Sequence, residues 1–122
     1  MVELQGGTPQ QAVHAVGLAL KNCLGLICDP VAGLVEIPCI VRNGLGAVTA
    51  LASADMALAG VGSVIPADEV IGVMLDVGSS MPSEHRETGL GGLAQTPTGR
   101  KLTEGLQEQR RGKSAKPLAE EE

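Results

Sequence analysis

The chain contains no phenylalanine, tyrosine or tryptophan among its 122 residues. Aromatic side chains normally supply much of the buried area of a domain of this size, so a core here must be built from Val, Leu, Ile, Ala and Met. The 17 glycines add backbone freedom that folding has to overcome. We therefore expect a light core and a chain that is marginally stable when it is isolated.

Composition and charge exclude several classes of protein. Without aromatic side chains the chain cannot stack nucleic-acid bases, and its formal net charge of −5 argues against binding to a phosphate backbone. The apolar stretch around residues 24–35 is interrupted by Cys28, Asp29 and Pro30 and is too short to span a membrane. No basic segment precedes an apolar one near the N-terminus, so we expect a cytoplasmic protein with reduced cysteines.

A helix start signal lies near the N-terminus. Thr8 suits the N-cap position, Pro9 the first helical position and Gln11 the third, as in a capping box. Apolar side chains then recur three to four residues apart. This spacing predicts a helix from about Pro9 to Cys23.

Two further helices are predicted downstream. An apolar stripe with alanines beside it predicts a helix from Asn43 or Gly44 to Leu58, and Pro66, followed by two acidic residues, marks the start of another. The predicted stripes consist of Val13, Val16, Leu20 and Leu24, of Leu45, Val48, Leu51 and Leu58, and of Val70, Val73, Met74 and Val77. No segment alternates like a strand, so the predicted fold class is all-α with three to four helices.

The end of the chain differs from the rest in charge. Residues 1–99 carry 3 basic and 9 acidic side chains, whereas residues 100–122 carry 6 basic and 5 acidic ones. Thr98 can cap a short helix through about Gln109, and from Arg110 onward few apolar residues remain to be buried. This composition is typical of a disordered tail.

A long irregular segment, Gly25 to Arg42, separates the first two predicted helices. It is apolar and contains Cys28 and Cys39, each next to a proline-fixed turn. A buried loop of this kind needs partners for its backbone groups, which indicates that something polar or ionic is held there. The ten intervening residues do not form a Cys-x-x-Cys pair, so spacing alone leaves metal ligands and small buried hydrophobes both open.

The wider sequence around these cysteines has a familiar pattern. Residues 24–43 read LGLICDPVAGLVEIPCIVRN, and the flanking stretches are GGTPQQAVHAVGLALKN, GLGAVTALASADMALAG, SVIPADEVIGVMLDVG and HRETGLGGLAQTPTG. Over about residues 4–103 this resembles the C-terminal part of the α chain, or α domain, of bacterial iron–sulfur L-serine dehydratase, also called L-serine ammonia-lyase. The resemblance implies that residues 1–103 are part of that domain and that residues 104–122 form the polar tail.

The resemblance also implies a chemistry. The family converts L-serine to pyruvate and ammonia without pyridoxal phosphate, using a 4Fe-4S cluster held by three cysteines, with one iron left open to act as a Lewis acid on the substrate hydroxyl. Cys28 and Cys39 match two of the three ligands, and the third is not in this chain. Cys23 lies outside the family's cysteine motif, and we expect it to be a buried helix cysteine.

The same resemblance implies that the chain is a fragment. The remainder of the α chain and a β chain or domain are the expected partners, the small-molecule substrate is L-serine, and the isolated chain is expected to be inactive. Two other classes stay open. One is a non-catalytic helical remnant or partner-binding module whose apolar faces are completed by another chain. The other, ranked last, is a small zinc-binding domain, which lacks paired ligand spacing and a suitable histidine.

Several polar residues are further candidates. Arg42 can bind a substrate carboxylate by its fork, and Asn43 can join it or act only as an N-cap. Asp29 can orient contacts around the cysteines or simply form an Asp-Pro turn. His85 is a possible proton carrier but is expected to be an exposed loop histidine, and His14 is an isolated residue on a helix. Gly89, Gly91 and Gly92 do not form a nucleotide-binding fingerprint, because no strand precedes them.

Overall fold

The computed structural model describes residues 1–114. Its four α-helices are α1 (Pro9–Lys21), α2 (Cys39–Leu58), α3 (Ala67–Ser80) and α4 (Pro97–Ser114). Four single 3-10 turns lie between or before them, at Glu3–Gln5, Val31–Gly33, Ser83–His85 and Gly92–Gln95. No strand occurs within the described residues, where the β-type pairing is one isolated bridge between Cys28 and Arg86. The predicted all-α class is confirmed.

The start of α1 follows from its capping residues. The Thr8 hydroxyl accepts a hydrogen bond from the Gln11 amide (3.2 Å), and the Gln11 side chain accepts one from the Thr8 amide (2.9 Å). Gln11 also donates to the carbonyl of Ala57 (3.3 Å), near the end of α2. The capping box therefore sets the first turn of α1 and also joins it to α2.

Two predicted boundaries are wrong. Helix α2 begins at Cys39, not at Asn43 or Gly44, because the Arg42 amide already donates to the Pro38 carbonyl (3.1 Å), one turn back. Asn43 is therefore inside α2 and is not an N-cap. Helix α4 continues to Ser114, beyond the predicted end at Gln109, so that residues 104–114 of the predicted tail are helical. The rest of that tail, residues 115–122, lies outside the described residues.

Small residues make the contacts among the first three helices. Helix α1 packs against both α2 and α3, and the buried side chains there include Ala54, Ala57, Ala67 and Val70. Half of the twelve apolar residues of the predicted stripes are exposed. The exposed ones are Val13, Val16, Leu45, Val48, Leu51 and Val73. Alanine lets helix backbones approach closely, so the small faces pack together and the larger side chains point away from the core.

A polar contact ties α1 to the connection between α2 and α3. The Ser63 amide donates to Nδ1 of His14 (3.1 Å), and the Ser63 hydroxyl donates to the carbonyl of Ile65 (2.5 Å). Gly17, one turn further along α1, is buried directly against Ser63. His14 therefore has a structural partner in this fold.

The fourth helix belongs to a separate group of contacts. Helix α4 packs on the 3-10 turns at Val31–Gly33 and Gly92–Gln95, which also contact each other. Within residues 1–114, no helix combines the length and the apolar character that crossing a membrane requires.

We predict that Gly17→Ala destabilises the packing of α1. A methyl group at residue 17 would lie 2.6 Å from the Ser63 hydroxyl, so Ser63 has to move, at a cost of about 1–3 kcal/mol. Gly46→Ala is the matched control, because a methyl group there meets no atom within 4 Å and only raises helix propensity. Thermal loss of the helical circular dichroism signal measures both variants. Equal midpoints for the two variants would contradict the prediction.

Candidate functional site

Two segments that are distant in sequence form the site. The cysteine loop, residues 22–38, lies against the glycine segment, residues 82–96. The Cys28 amide donates to the carbonyl of His85 (2.9 Å), and the Glu87 amide donates to the carbonyl of Cys28 (2.7 Å). These two bonds give the backbone of Cys28 the partners that a half-buried loop residue needs.

Asp29 is the polar centre of this arrangement. Its side chain is only 1% exposed. One carboxylate oxygen accepts a hydrogen bond from Nη1 of Arg42 (2.5 Å), and the other accepts one from the Leu93 amide (2.6 Å). Asp29 therefore joins the cysteine loop to α2 and to the glycine segment.

Arg42 has a second bond to the same loop. Its Nη1 also donates to the carbonyl of Ile27 (3.0 Å), while the side chain as a whole is 36% exposed. Nη1 of Arg42 thus contacts the residue before Cys28 and the residue after it. Asn43, the next residue of α2, is exposed.

The surroundings of Asp29 favour its ionised form. Burial alone raises the pKa of the carboxyl group, but the hydrogen bond from Leu93, together with the hydrogen bond and charge of Arg42, outweighs burial. The pKa of Asp29 is therefore held below its usual range. The ion pair with Arg42 is intact at neutral pH.

A glycine is required where the segment meets Asp29. Gly92 has φ +59°, and a Cβ atom at this position would collide with the Asp29 carboxylate. Only glycine lets the following amide, that of Leu93, reach the carboxylate oxygen. The sequence did not predict this role, because Gly92 was a candidate only for a nucleotide fingerprint. The signal for it in the sequence is the Gly91-Gly92 pair within the stretch HRETGLGGLAQTPTG.

The structure brings Cys28 and Cys39 together. Both thiols are free and half-buried, and they lie near enough for Cys39 to raise the pKa of Cys28, with Cys39 at the first position of α2. Burial raises the pKa of the Cys28 thiol, and the neighbouring Glu87 and Cys39 raise it further. The charge of Arg42 lowers the same pKa but does not cancel the rise. The donor set is thus two neighbouring sulfur atoms, one on the loop anchored by Asp29 and one at the start of α2, which fits part of a thiolate-ligated metal centre.

The other candidates lie around this pair. Cys23 follows the end of α1, in a turn, and is half-buried. His85 is half-buried, because its backbone pairs with the cysteine loop. The expectation of an exposed loop histidine is therefore wrong. The Nδ1 atom of His85 is buried without a hydrogen-bond partner among the described residues. In residues 1–114 no group of three or more His, Cys, Asp or Glu side chains is placed to hold a metal ion.

Comparison with known proteins identifies the class to which this fold and site belong. The family model described as serine dehydratase alpha chain matches residues 1–94. The chain therefore belongs to the serine dehydratase alpha chain family.

Individual relatives agree with that assignment. The chain is 61% identical over 102 residues to a probable L-serine dehydratase, alpha chain, of Bacillus subtilis, covering 84% of this chain and 34% of the relative. It is 55% identical over 102 residues to the L-serine dehydratase, alpha chain, of Peptoniphilus asaccharolyticus, covering 84% and 35%. It is 43% identical over 95 residues to L-serine dehydratase 1 of Escherichia coli, covering 77% and 21%. The chain thus spans about a third or less of these three relatives, and no solved structure matches it.

We predict that Arg42→Gln destabilises the site, because it leaves the buried Asp29 carboxylate without its cation. The expected loss is about 1.5–3 kcal/mol, the range for hydrogen bonds to charged groups. Arg86→Gln is the matched control, since the Arg86 side chain is exposed and makes no hydrogen bond within the described residues. Hydrogen exchange of the Leu93 amide should accelerate in Arg42→Gln and stay unchanged in Arg86→Gln. Unchanged exchange in both variants would show that the ion pair does not hold the segments together.

We also predict that the contribution of Asp29 is lost in acid. The folded pKa lies below the unfolded value of about 3.9, so the carboxylate stabilises the fold above that pH and this stability fades as the pH falls through the folded pKa. Asp29→Asn should melt at a lower temperature than the wild type at neutral pH, and the gap should narrow below about pH 4. At pH 3, about one unit below the unfolded pKa, part of the ion-pair contribution should be gone. A difference in melting temperature between the two proteins that stays constant down to pH 3 would contradict the prediction.

Proposed function

We propose that the chain is part of the α chain of an L-serine dehydratase and that Cys28 and Cys39 bind an iron–sulfur cluster that serves the conversion of L-serine to pyruvate and ammonia. The observation that supports this proposal is the proximity of the two thiols within a stretch that matches the family. Ten residues separate these cysteines in sequence, yet Cys39 is near enough to raise the pKa of Cys28.

The donor chemistry suits such a cluster. Iron–sulfur clusters are held by cysteine thiolates, and Cys28 and Cys39 supply two of them. When bound, the cluster supplies a Lewis acid that polarises the C–O bond of the substrate hydroxyl, which is otherwise a poor leaving group. Binding removes the thiol protons, so the raised pKa of Cys28 is a property of the metal-free chain.

The residues around the cysteines have positioning roles in this proposal. Asp29 fixes the direction of the loop directly after Cys28 through its bonds to Arg42 and Leu93. The Arg42 guanidinium uses Nη1 for the loop, and its half-exposed side offers further N–H groups to the carboxylate of the substrate. Asn43, the next residue of α2, is exposed, and in this proposal it joins that contact.

The remaining parts of the site come from other polypeptide in this proposal. The chain spans 34% of the Bacillus subtilis relative, and its three cysteines include only the two that lie together. The remainder of an α chain supplies the third thiolate, and a β chain or domain completes the enzyme. The exposed apolar residues on α2, such as Leu45 and Val48, give that polypeptide a surface to cover. The isolated chain is therefore expected to lack activity.

Anaerobic reconstitution with iron and sulfide tests the proposal. We would graft residues 1–103 in place of the matching stretch of the Bacillus subtilis relative and count iron per chain in the hybrid. Cys28→Ser and Cys39→Ser should lose most of the bound iron, whereas the control Cys23→Ser should retain it, because Cys23 lies outside the pair.

Two outcomes would contradict the proposal. Equal iron in all three variants would mean that the pair does not bind the cluster. No specific iron in the unmutated hybrid would favour the helical partner-binding module, whose function does not involve the thiols.

A further inference from the structure

Glu87 carries a charged side chain at the edge of the cysteine loop. Its amide donates to the carbonyl of Cys28 (2.7 Å), and its neighbour Arg86 lies opposite Cys28 in the isolated bridge. The backbone of Glu87 is therefore fixed to one of the two cysteines of the site. The residue is exposed, so its carboxylate is open to a molecule that approaches the loop.

The backbone of Glu87 has a conformation that glutamate seldom adopts. Its φ is +65°, in the left-handed region, where the Cβ atom of an L-residue is crowded by the backbone. Gly89 and Gly92, in the same segment, also have positive φ, and glycine adopts this region freely. Residue 87 thus carries a carboxylate at a position where the backbone favours glycine. Strained residues of this kind cluster at binding and active sites.

The charge of Glu87 acts on the cysteine pair. It raises the pKa of the Cys28 thiol, second only to burial as a cause. This charge therefore opposes the loss of the thiol proton that metal binding requires, so it does not serve to prepare Cys28 as a ligand. A cationic group beside Glu87 would offset the repulsion. In the part of the chain that the structure describes, the one ion pair is that of Arg42 and Asp29, and Glu87 has no such partner.

Arg42 contributes the opposite charge at the same place. Its Nη1 contacts the carbonyl of Ile27 and the carboxylate of Asp29, the residues before and after Cys28, and its side chain is partly exposed. A free guanidinium edge and a free carboxylate thus both lie at Cys28 without pairing with each other. L-Serine carries a carboxylate and an ammonium group on one carbon atom and can contact both.

We propose that Glu87 is a substrate-binding residue whose carboxylate accepts a hydrogen bond from the α-ammonium group of L-serine. The inference rests on the proposed function, in which Arg42 contacts the substrate carboxylate and the substrate hydroxyl lies at the cysteine centre. Contacts to three substituents of the α-carbon fix its orientation and therefore the direction in which its hydrogen atom points. Glu87 would supply the third of these contacts.

Equilibrium binding of two unreactive ligands tests the inference. L-Alanine carries both charged groups, propionate carries only the carboxylate, and neither has a hydroxyl group to eliminate. The protein is the iron-loaded hybrid of the Bacillus subtilis relative, together with the β chain that the proposed function requires. Isothermal titration calorimetry gives both dissociation constants. The unmutated hybrid should bind L-alanine at least about tenfold more tightly than propionate, because only alanine has a group for Glu87.

Variants assign this difference to one carboxylate. Glu87→Gln keeps the size of the side chain and removes its charge, so it should weaken L-alanine binding at least about tenfold and leave propionate binding unchanged. Glu84→Gln, the matched control, removes another exposed carboxylate of the same segment and should change neither constant. Glu87→Asp keeps the charge on a shorter side chain and should bind L-alanine with intermediate strength. Iron per chain should be equal in all three variants.

The readouts separate this inference from the proposed function. An equal loss of L-alanine and propionate binding in Glu87→Gln would show that Glu87 supports the site without contacting the ammonium group. Unchanged L-alanine binding in that variant would show that there is no contact. Either result overturns the inference alone, provided that the hybrid retains its iron. No specific iron in the unmutated hybrid would contradict the proposed function and the inference with it.

Discussion

One buried carboxylate connects the segments that form the candidate site. Asp29 binds Arg42 at the start of α2 and the Leu93 amide in the glycine segment, and it directly follows Cys28. A buried charge is costly unless it is paired and hydrogen-bonded, so both bonds have to form together. Because Asp29 and its two partners lie on three segments, satisfying one side chain sets the relative position of all three.

The cysteine pair depends on that constraint. Cys28 is held by backbone bonds to His85 and Glu87, and Cys39 begins the helix that also carries Arg42. Gly92 is needed at the same point, because any side chain there would displace the Leu93 amide from Asp29. The geometry of the thiols is therefore a consequence of polar contacts, which suits a chain that has little apolar core to hold a loop.

The small apolar core leaves large apolar side chains exposed. The helices meet through Ala54, Ala57 and Val70, while larger residues such as Leu45 and Val48 stay exposed. The chain matches only about a third of the length of relatives such as the Bacillus subtilis and Peptoniphilus asaccharolyticus proteins, and those exposed faces are surface that more polypeptide can cover. Without aromatic residues, the contacts among the first three helices rest on small side chains, and many of the large apolar side chains stay exposed.

Local signals in the sequence were sufficient for the fold class and for the start of α1, because capping residues such as Thr8 and Gln11 act on amides within one turn. The sequence also predicted, by resemblance, the family, which the comparisons confirm, and it predicted Cys28 and Cys39 as cluster ligands. It did not determine that α2 begins at Cys39, that Arg42 binds Asp29, or that α4 packs on the 3-10 turns at Val31–Gly33 and Gly92–Gln95. These features were decided only by the tertiary structure, because each joins groups that are distant in the chain and depends on which polar atoms remain unpaired after the helices pack.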